Sequence, residues 1–304
     1  MRFTLKQMEV FAAIARYENV SRAADELALS QSAASGALAE LERHYDMQLF
    51  DRAGKRLRLN DLGHALLPRA TELLDRAHEL DALLRHNDIA GNLAIGATLT
   101  IGNYLAPIIV SDYLRAHESA RVRLEVANTR DIVEQVAHLA LDLGLVEGDF
   151  NHPDLDALPW GTDDLVCFAP PNHPLLEGTP ALDTLASSTW IVREQGSGTR
   201  AAFDRAFSKH GLRPNVRLEL EHTEAIKRAV ESGLGIGCVS GLALREAFRR
   251  GSLVPLSTPQ LNLHRHFHIA LHRNKFRTAG IAHFLELCRA HLDAGLPTRE
   301  TNIL

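Results

Sequence analysis

From Asn92 to His291 short apolar runs alternate with amphipathic stretches, and no other feature limits the fold so tightly. Runs at 92–97, 121–126, 141–146, 164–169, 189–192, 217–220, 235–239 and 267–271 carry the strand signal. Helical spacing marks 103–117, 131–139, 200–210, 224–232, 242–249 and 279–291. Such alternation builds mostly parallel sheets covered by helices on both faces. The region is too large for one ordinary sheet, so two α/β subdomains around a cleft are expected, one over about 91–162 and 268–300 and the other over about 163–267.

The first ninety residues obey a different rule. Leu5, Met8, Phe11, Ile14 and Ala15 recur at helical spacing. Ser21 is placed to cap a short helix, and Ser30 a longer one from Gln31 to about His44. Leu49–Leu59 reads as a hairpin with Gly54 at its tip. Asn60 can cap a helix running to about His86, in which Leu66, Leu73 and Leu80 are spaced by seven, as are Ala70, Ala77 and Leu84. That seam fits a dimerisation helix, the other reading being an amphipathic helix packed on its own domain. Pro68 either kinks this helix or marks its start. The expected layout is therefore 1–60, 61–88 as a linker and dimerisation helix, and 89–304.

Composition narrows the class. The chain has 304 residues, 45% hydrophobic and 23% charged, as globular proteins have. No apolar run is long enough to span a bilayer, and the opening Met1–Gln7 lacks a signal-peptide core, so a cytoplasmic protein without membrane contact is expected. Cys167, Cys238 and Cys288 fit neither a disulfide framework nor a zinc motif. The net charge of −5 is uneven: residues 1–60 hold nine Lys/Arg against eight Asp/Glu, a net of +1, which leaves −6 elsewhere. Any nucleic-acid contact must then be local, and Arg52, Lys55, Arg56 and Arg58 form a compact cationic tip.

That tip follows a helix-turn-helix pattern. Ala23 and Ala24 are small where two helices must cross, and Leu27 and Leu29 face a core. Ala33, Ala34, Ala37, Leu38 and Leu41 form the buried side of the second helix, leaving Gln31, Ser32, Ser35 and Gly36 for base edges and phosphates. Leu5-Lys6-Gln7-Met8-Glu9-Val10-Phe11, Ser21-Arg22-Ala23-Ala24, Leu29-Ser30-Gln31-Ser32-Ala33-Ala34-Ser35, Leu41-Glu42 and Leu49-Phe50-Asp51-Arg52 hold the order and spacing of the LysR-type transcriptional regulators, which the chain resembles. Ala28 departs from the glycine many such turns carry. The resemblance implies a winged helix-turn-helix, a long linker helix, and an α/β effector domain of two subdomains, similar to periplasmic binding proteins. By it, Gln31, Ser32 and Ser35 read the major groove of promoter DNA, and Arg52 with Lys55 and Arg56 contacts phosphates or the minor groove. It also implies a homodimer or homotetramer, and RNA polymerase as a further partner.

Ligands in such α/β folds sit beyond strand ends against helix N-termini. Thr98 and Thr100, Thr129, Gly196-Ser197-Gly198-Thr199 and Ser240 occupy those places. The glycines of Gln195–Arg200 let N–H groups turn inward, hydroxyls add donors, and a neighbouring guanidinium would complete an anion site. The other reading is a solvated turn with a serine cap. Ile101–Pro107, Asn128–Arg130 and Glu194–Arg200 also resemble a branch of the family associated with sulfite-like oxyanions and phosphorylated metabolites. A small anionic effector is therefore expected, with an uncharged or aromatic one as the alternative and a plain solute-binding protein as a remote one.

Other constellations are weaker. His264, His266 and His268 share a strand face, but no cysteine or carboxylate lies near them in sequence, so no metal is expected. Asp154, Asp156, Asp163 and Asp164 sit in loop-like stretches without a partner base. Ser197 and Ser240 lack a hydrolase elbow, and Gly233–Gly237 leads into a strand rather than a helix. No catalytic set or cofactor motif is present, so the chain is not expected to be an enzyme.

Overall fold

The computed structural model describes residues 2–53, 56–84 and 91–293. Thr4 opens α1 (Leu5–Tyr17) with a reciprocal cap: its hydroxyl accepts from the Gln7 N–H, and Gln7 accepts from the Thr4 N–H. The next helix, α2 (Val20–Glu26), is capped by Asn19, whose Oδ1 accepts from the N–H groups of Ser21 and Arg22. Ser21, expected as the cap, is the second residue of the helix, because the Asn19 side-chain carbonyl accepts from the N–H groups of Ser21 and Arg22. Ser30 caps α3 (Gln31–Tyr45), as expected. Met8, Phe11, Ile14, Ala23, Ala34, Leu38, Leu41, Leu49 and Phe50 form the shared core, while Ala33 is exposed and Ala37 half-buried. Antiparallel β1 (Phe50–Ala53) and β2 (Arg56–Leu59) make the wing, tied to α1 by the Leu57 N–H donating to the Glu18 carbonyl.

Asn60 caps α4 (Asp61–Leu84) by accepting from the Gly63 N–H. A Cβ at position 63 would stand 2.2 Å from the Leu49 carbonyl oxygen, so only glycine lets the helix start this close to the wing. The helix runs through Pro68 rather than starting there.

The α/β region follows as β3 (Leu93–Thr98), α5 (Leu99–Tyr104), α6 (Ala106–Ala116), β4 (Val122–Ala127), α7 (Thr129–Ala137), β5 (Leu143–Glu147) and β6 (Leu155–Ala169). Then come α8 (Leu182–Ser187), β7 (Thr189–Arg193), α9 (Gly198–Ser208), β8 (Asn215–Leu220), α10 (Thr223–Glu231), β9 (Ile236–Ser240) and α11 (Gly241–Arg250). Short β10 (Val254–Pro255), β11 (His264–His272) and α12 (Ala279–Asp293) close it. The strands run in the order β4–β3–β5–β11–β6–β9–β7–β8. Parallel pairs β3/β4, β3/β5, β7/β8 and β7/β9 flank antiparallel β11 and β6. The long β6 pairs with β11 over Leu155–Asp164 and with β9 over Leu165–Phe168, so β6 and β11 pass between the two halves. Separate apolar cores fill each half, around Ile95, Tyr113 and Phe284 in one and Trp190, Phe203 and Phe207 in the other.

The sequence pattern finds only the second part of β6, because Pro159 and Gly161 dilute its first part. Asp156, Asp163 and Asp164 thus lie in a strand, not in loops. Likewise α5 is a separate short helix, since Pro107 starts α6 afresh. No helix among the described residues is long and apolar enough to cross a membrane.

Candidate DNA-reading surface and effector cleft

Gln31, Ser32, Ser35 and Gly36 are all exposed at the N-terminal half of α3. Ala34, Leu38 and Leu41 hold the opposite side in the core. The Ser32 hydroxyl lies 3.0 Å from that of Ser30, which itself caps the helix. A Cβ at Gly36 would meet nothing within 4 Å, so no intramolecular packing calls for a glycine there. In the wing, Arg52 pairs in register with Leu57 and Arg56 with Ala53. The side chains of Arg52 and Arg56, and Lys55 entirely, lie outside the described residues.

The cleft is built around a guanidinium that the sequence reading does not identify. Arg265 of β11 is 0% exposed and makes ion pairs with Glu147 of β5 (2.6 Å) and Asp163 of β6 (2.5 Å). It also donates to the hydroxyls of Thr199 (2.8 Å) and Thr100 (3.1 Å). Glu147 in turn accepts from the N–H groups of Thr100 and Ile101, so its carboxylate occupies the N-terminus of α5. Asp163 accepts from the Ser240 hydroxyl at 2.9 Å. Thr98 accepts from the Glu147 N–H and donates to the Leu145 carbonyl. Thr129 donates to the Glu147 carbonyl and accepts from the Gly198 N–H. Six of the residues expected in the cleft therefore converge: Thr98, Thr100, Thr129, Gly198, Thr199 and Ser240.

Gly198 is sterically required, because a Cβ there would stand 1.9 Å from the Glu147 carbonyl oxygen. Gly196 has φ +95°, and the Arg130 guanidinium carbon lies 3.3 Å from where its Cβ would be. Arg130 is exposed, and its guanidinium flanks the turn that opens α9. Ser197 is buried at the cap position but its side chain makes no capping bond, against the serine-cap reading. Arg200 turns away to Asp204, Glu219 and the Arg193 carbonyl.

Burial opposes ionisation of both acids. For Glu147, Arg265 and the Ile101 N–H outweigh it and hold the pKa below the usual carboxylate range. For Asp163, burial wins over Arg265 and the pKa is raised. Asp163 shows no partner in the sequence around it; its partner is 102 positions away. The usable signal for Arg265 is its period. Between His264 and His266 it takes the inward face of the strand, where an unpaired charge would be intolerable. The histidines do not converge on one point: His264 and His268 bond to Asp164 and the Gly148 carbonyl respectively. Among the described residues no group of three His, Cys, Asp or Glu could hold a metal.

An exposed recognition helix with a wing, joined by a long helix to a two-lobed α/β cleft, defines a DNA-binding regulator with a ligand-sensing domain. The comparisons narrow the class. Residues 5–64 match the bacterial regulatory helix-turn-helix protein, lysR family, and residues 86–293 match the LysR substrate binding domain. The chain belongs to the LysR family of transcriptional regulators, which are not enzymes. It is 38% identical over 95% of its length to 98% of the uncharacterized HTH-type transcriptional regulator YeiE of Escherichia coli K12. It is 32% identical over 90% of its length to 92% of the RuBisCO operon transcriptional regulator of Allochromatium vinosum. A full-length, singly substituted OxyR from Pseudomonas aeruginosa shares the fold across 95% of this chain and 94% of that one, at TM-score 0.70 and 20% identity. The regulatory domain of CcmR from Synechocystis PCC6803 matches 69% of this chain and 99% of that one, at TM-score 0.62 and 28% identity.

Proposed function

We propose that this regulator binds promoter DNA in the cytoplasm through Gln31, Ser32 and Ser35, with Arg52, Lys55 and Arg56 of the wing on the backbone, under the control of a small anionic effector. The observation that carries the effector reading is the Gly196–Thr199 turn. It opens α9 beside the exposed Arg130 guanidinium, and the first N–H groups of a helix have no partner within it. The CcmR regulatory domain similar to this one is described in complex with 2-PG, which supports a small-molecule ligand for this domain. In this reading Thr98, Thr129 and Ser240 hold the frame. Gly198, whose N–H is held by Thr129, belongs to that frame too, and the ligand meets Thr100, Gly196, Ser197, Thr199 and Arg130.

One observation favours the alternative, an uncharged or aromatic effector. Arg265 is already shared by two carboxylates, so the inner cleft offers an anion no spare cation. The regulator acts as a dimer or tetramer through α4, whose Leu73, Leu80 and Leu84 stand exposed. The deciding experiment is thermal unfolding with sulfite, sulfate, phosphate, phosphorylated two- and three-carbon acids and neutral polyols. A ligand at 100 times its Kd stabilises by roughly 2.7 kcal/mol. A saturable shift lost in a Ser197→Ala/Arg130→Ala variant supports the anion. A shift with neutral polyols alone moves the assignment to the alternative.

A further inference from the structure

The cleft cluster has a counterpart at the other end of the same two strands. The N-terminal end of β5 is preceded by Asp142 and its C-terminal end is Glu147; antiparallel β11 carries Arg265 near one end, and Lys275 lies three residues past the other. Glu147 pairs with Arg265 in the cleft, and Asp142 pairs with Lys275 at 2.9 Å. Lys275 makes a second ion pair, 2.8 Å, with Asp75 in the middle of α4. Its side chain is only 5% exposed. Burial works to discharge it, but Asp142 and Asp75 outweigh burial and raise its pKa above the ordinary lysine value. Asp142 is also held to β3, accepting from the Ala94 N–H at 2.7 Å.

The contact around this triad is extensive. Glu79 of α4 accepts from the Ala279 N–H at the start of α12. Arg76 of α4 stacks its guanidinium 4.3 Å from the centre of the Phe276 ring. Leu139, in the turn before β5, is buried among the side chains of the winged-helix core. The effector domain thus grips the linker helix and the DNA-binding domain of its own chain.

We infer that Lys275 is the positioning residue through which the effector domain sets the linker helix, and that the β5/β11 ladder, pinned by an ion pair at each end, joins it to the cleft. A hydrogen-bonded strand pair is stiff along its length, whereas a buried ion triad has a discrete broken state, because a lone buried charge is strongly unfavourable. A change in how Arg265 is held therefore reaches α4 over about five residues of strand, roughly 17 Å. The grip itself needs no effector, so it stands apart from the anion assignment; only its use as a relay rests on the cleft being the ligand site.

The test is hydrogen exchange by mass spectrometry on the full-length protein, without ligand and at one protein concentration. Lys275→Met keeps the aliphatic stem and leaves two acids uncompensated. Exchange over residues 70–80 and 137–142 should speed about ten-fold or more, while peptides over 185–207 stay unchanged. Lys275→Arg, which keeps a cation between Asp75 and Asp142, should retain protection. Asp142→Asn, which retains one ion pair, should give a smaller change of the same kind and serves if Lys275→Met does not fold. Unchanged exchange in Lys275→Met and Asp142→Asn, or exchange in Lys275→Arg as fast as in Lys275→Met, overturns the positioning role. For the relay, Asp163→Asn should alter exchange at 70–80 with Lys275 present and not in the Lys275→Met background. Equal effects in both backgrounds overturn it.

Discussion

Ala28 shows how a residue can be legible in identity yet opaque in consequence. It ends α2 at φ +52°, and the Leu29 N–H donates to the Ala24 carbonyl while its own donates to that of Asp25. Those two bonds make a Schellman turn, whose left-handed residue is usually glycine. The sequence shows that a glycine is missing; the backbone shows that its conformation is kept regardless, at a steric cost. Ala28→Gly should therefore stabilise the DNA-binding domain by roughly 0.5–1 kcal/mol, the relief of left-handed strain less the added chain entropy. Urea denaturation would register it, and a destabilised variant would show that no strain resides there. Arg265 is the opposite case. Its partners stand 102 and 118 positions away, and no local pattern announces a pairing made across the sheet. The hydroxyls of Thr98, Thr129 and Ser240 could be placed at strand ends from sequence, but their role in anchoring Glu147 and Asp163 follows from that same long-range meeting.

Among the elements, α4 carries the clearest split between what its pattern and its packing decide. Leu67, Ala70 and Leu74 are buried in the winged-helix core, whereas Leu73, Leu80 and Leu84 are 37%, 58% and 73% exposed. The seven-residue seam thus divides: Leu66 and Ala70 pack within the chain, and Leu73, Leu80 and Leu84 face outward. Each leucine contributes on the order of 1.5–3 kcal/mol when fully buried. Leu73→Asn/Leu80→Asn should weaken self-association at least ten-fold, seen as a lighter species in sedimentation velocity with helical circular dichroism unchanged. Association at wild-type strength would remove α4 as the dimer contact. The βα alternation was legible because each half-buried element carries its own period. The first part of β6 was not, since its pairing with β11 tolerates Pro159 and Gly161 that a local reading takes for a loop.

For the whole molecule, stability against pH depends on which groups folding removes from water. Cys288, 0% exposed within α12, has its pKa pushed up by burial from 9.0 to about 12. Because the folded value is raised, its contribution is complete below pH 9 and is lost as pH rises toward 12. Cys238, facing Cys167 across β6 and β9, is raised by burial as well. Stability should then fall above pH 9 by about 1.4 kcal/mol per unit for each such thiol. Cys288→Ala should remove one thiol's share of that slope in urea titrations at pH 8, 9 and 10, and an unaltered slope would mean the thiol ionises freely in the native state. The sequence counts three cysteines and excludes a disulfide framework; only the packing decides that they are sealed. The same division holds throughout. Sequence alone determined the helix-turn-helix, the wing, the linker helix and the two-lobed α/β domain, because caps, turns and periodicity act between near neighbours. Tertiary structure alone decided the Glu147–Arg265–Asp163 clasp and the Asp75–Lys275–Asp142 grip, because a buried charge is tolerable only where distant strands deliver its partners.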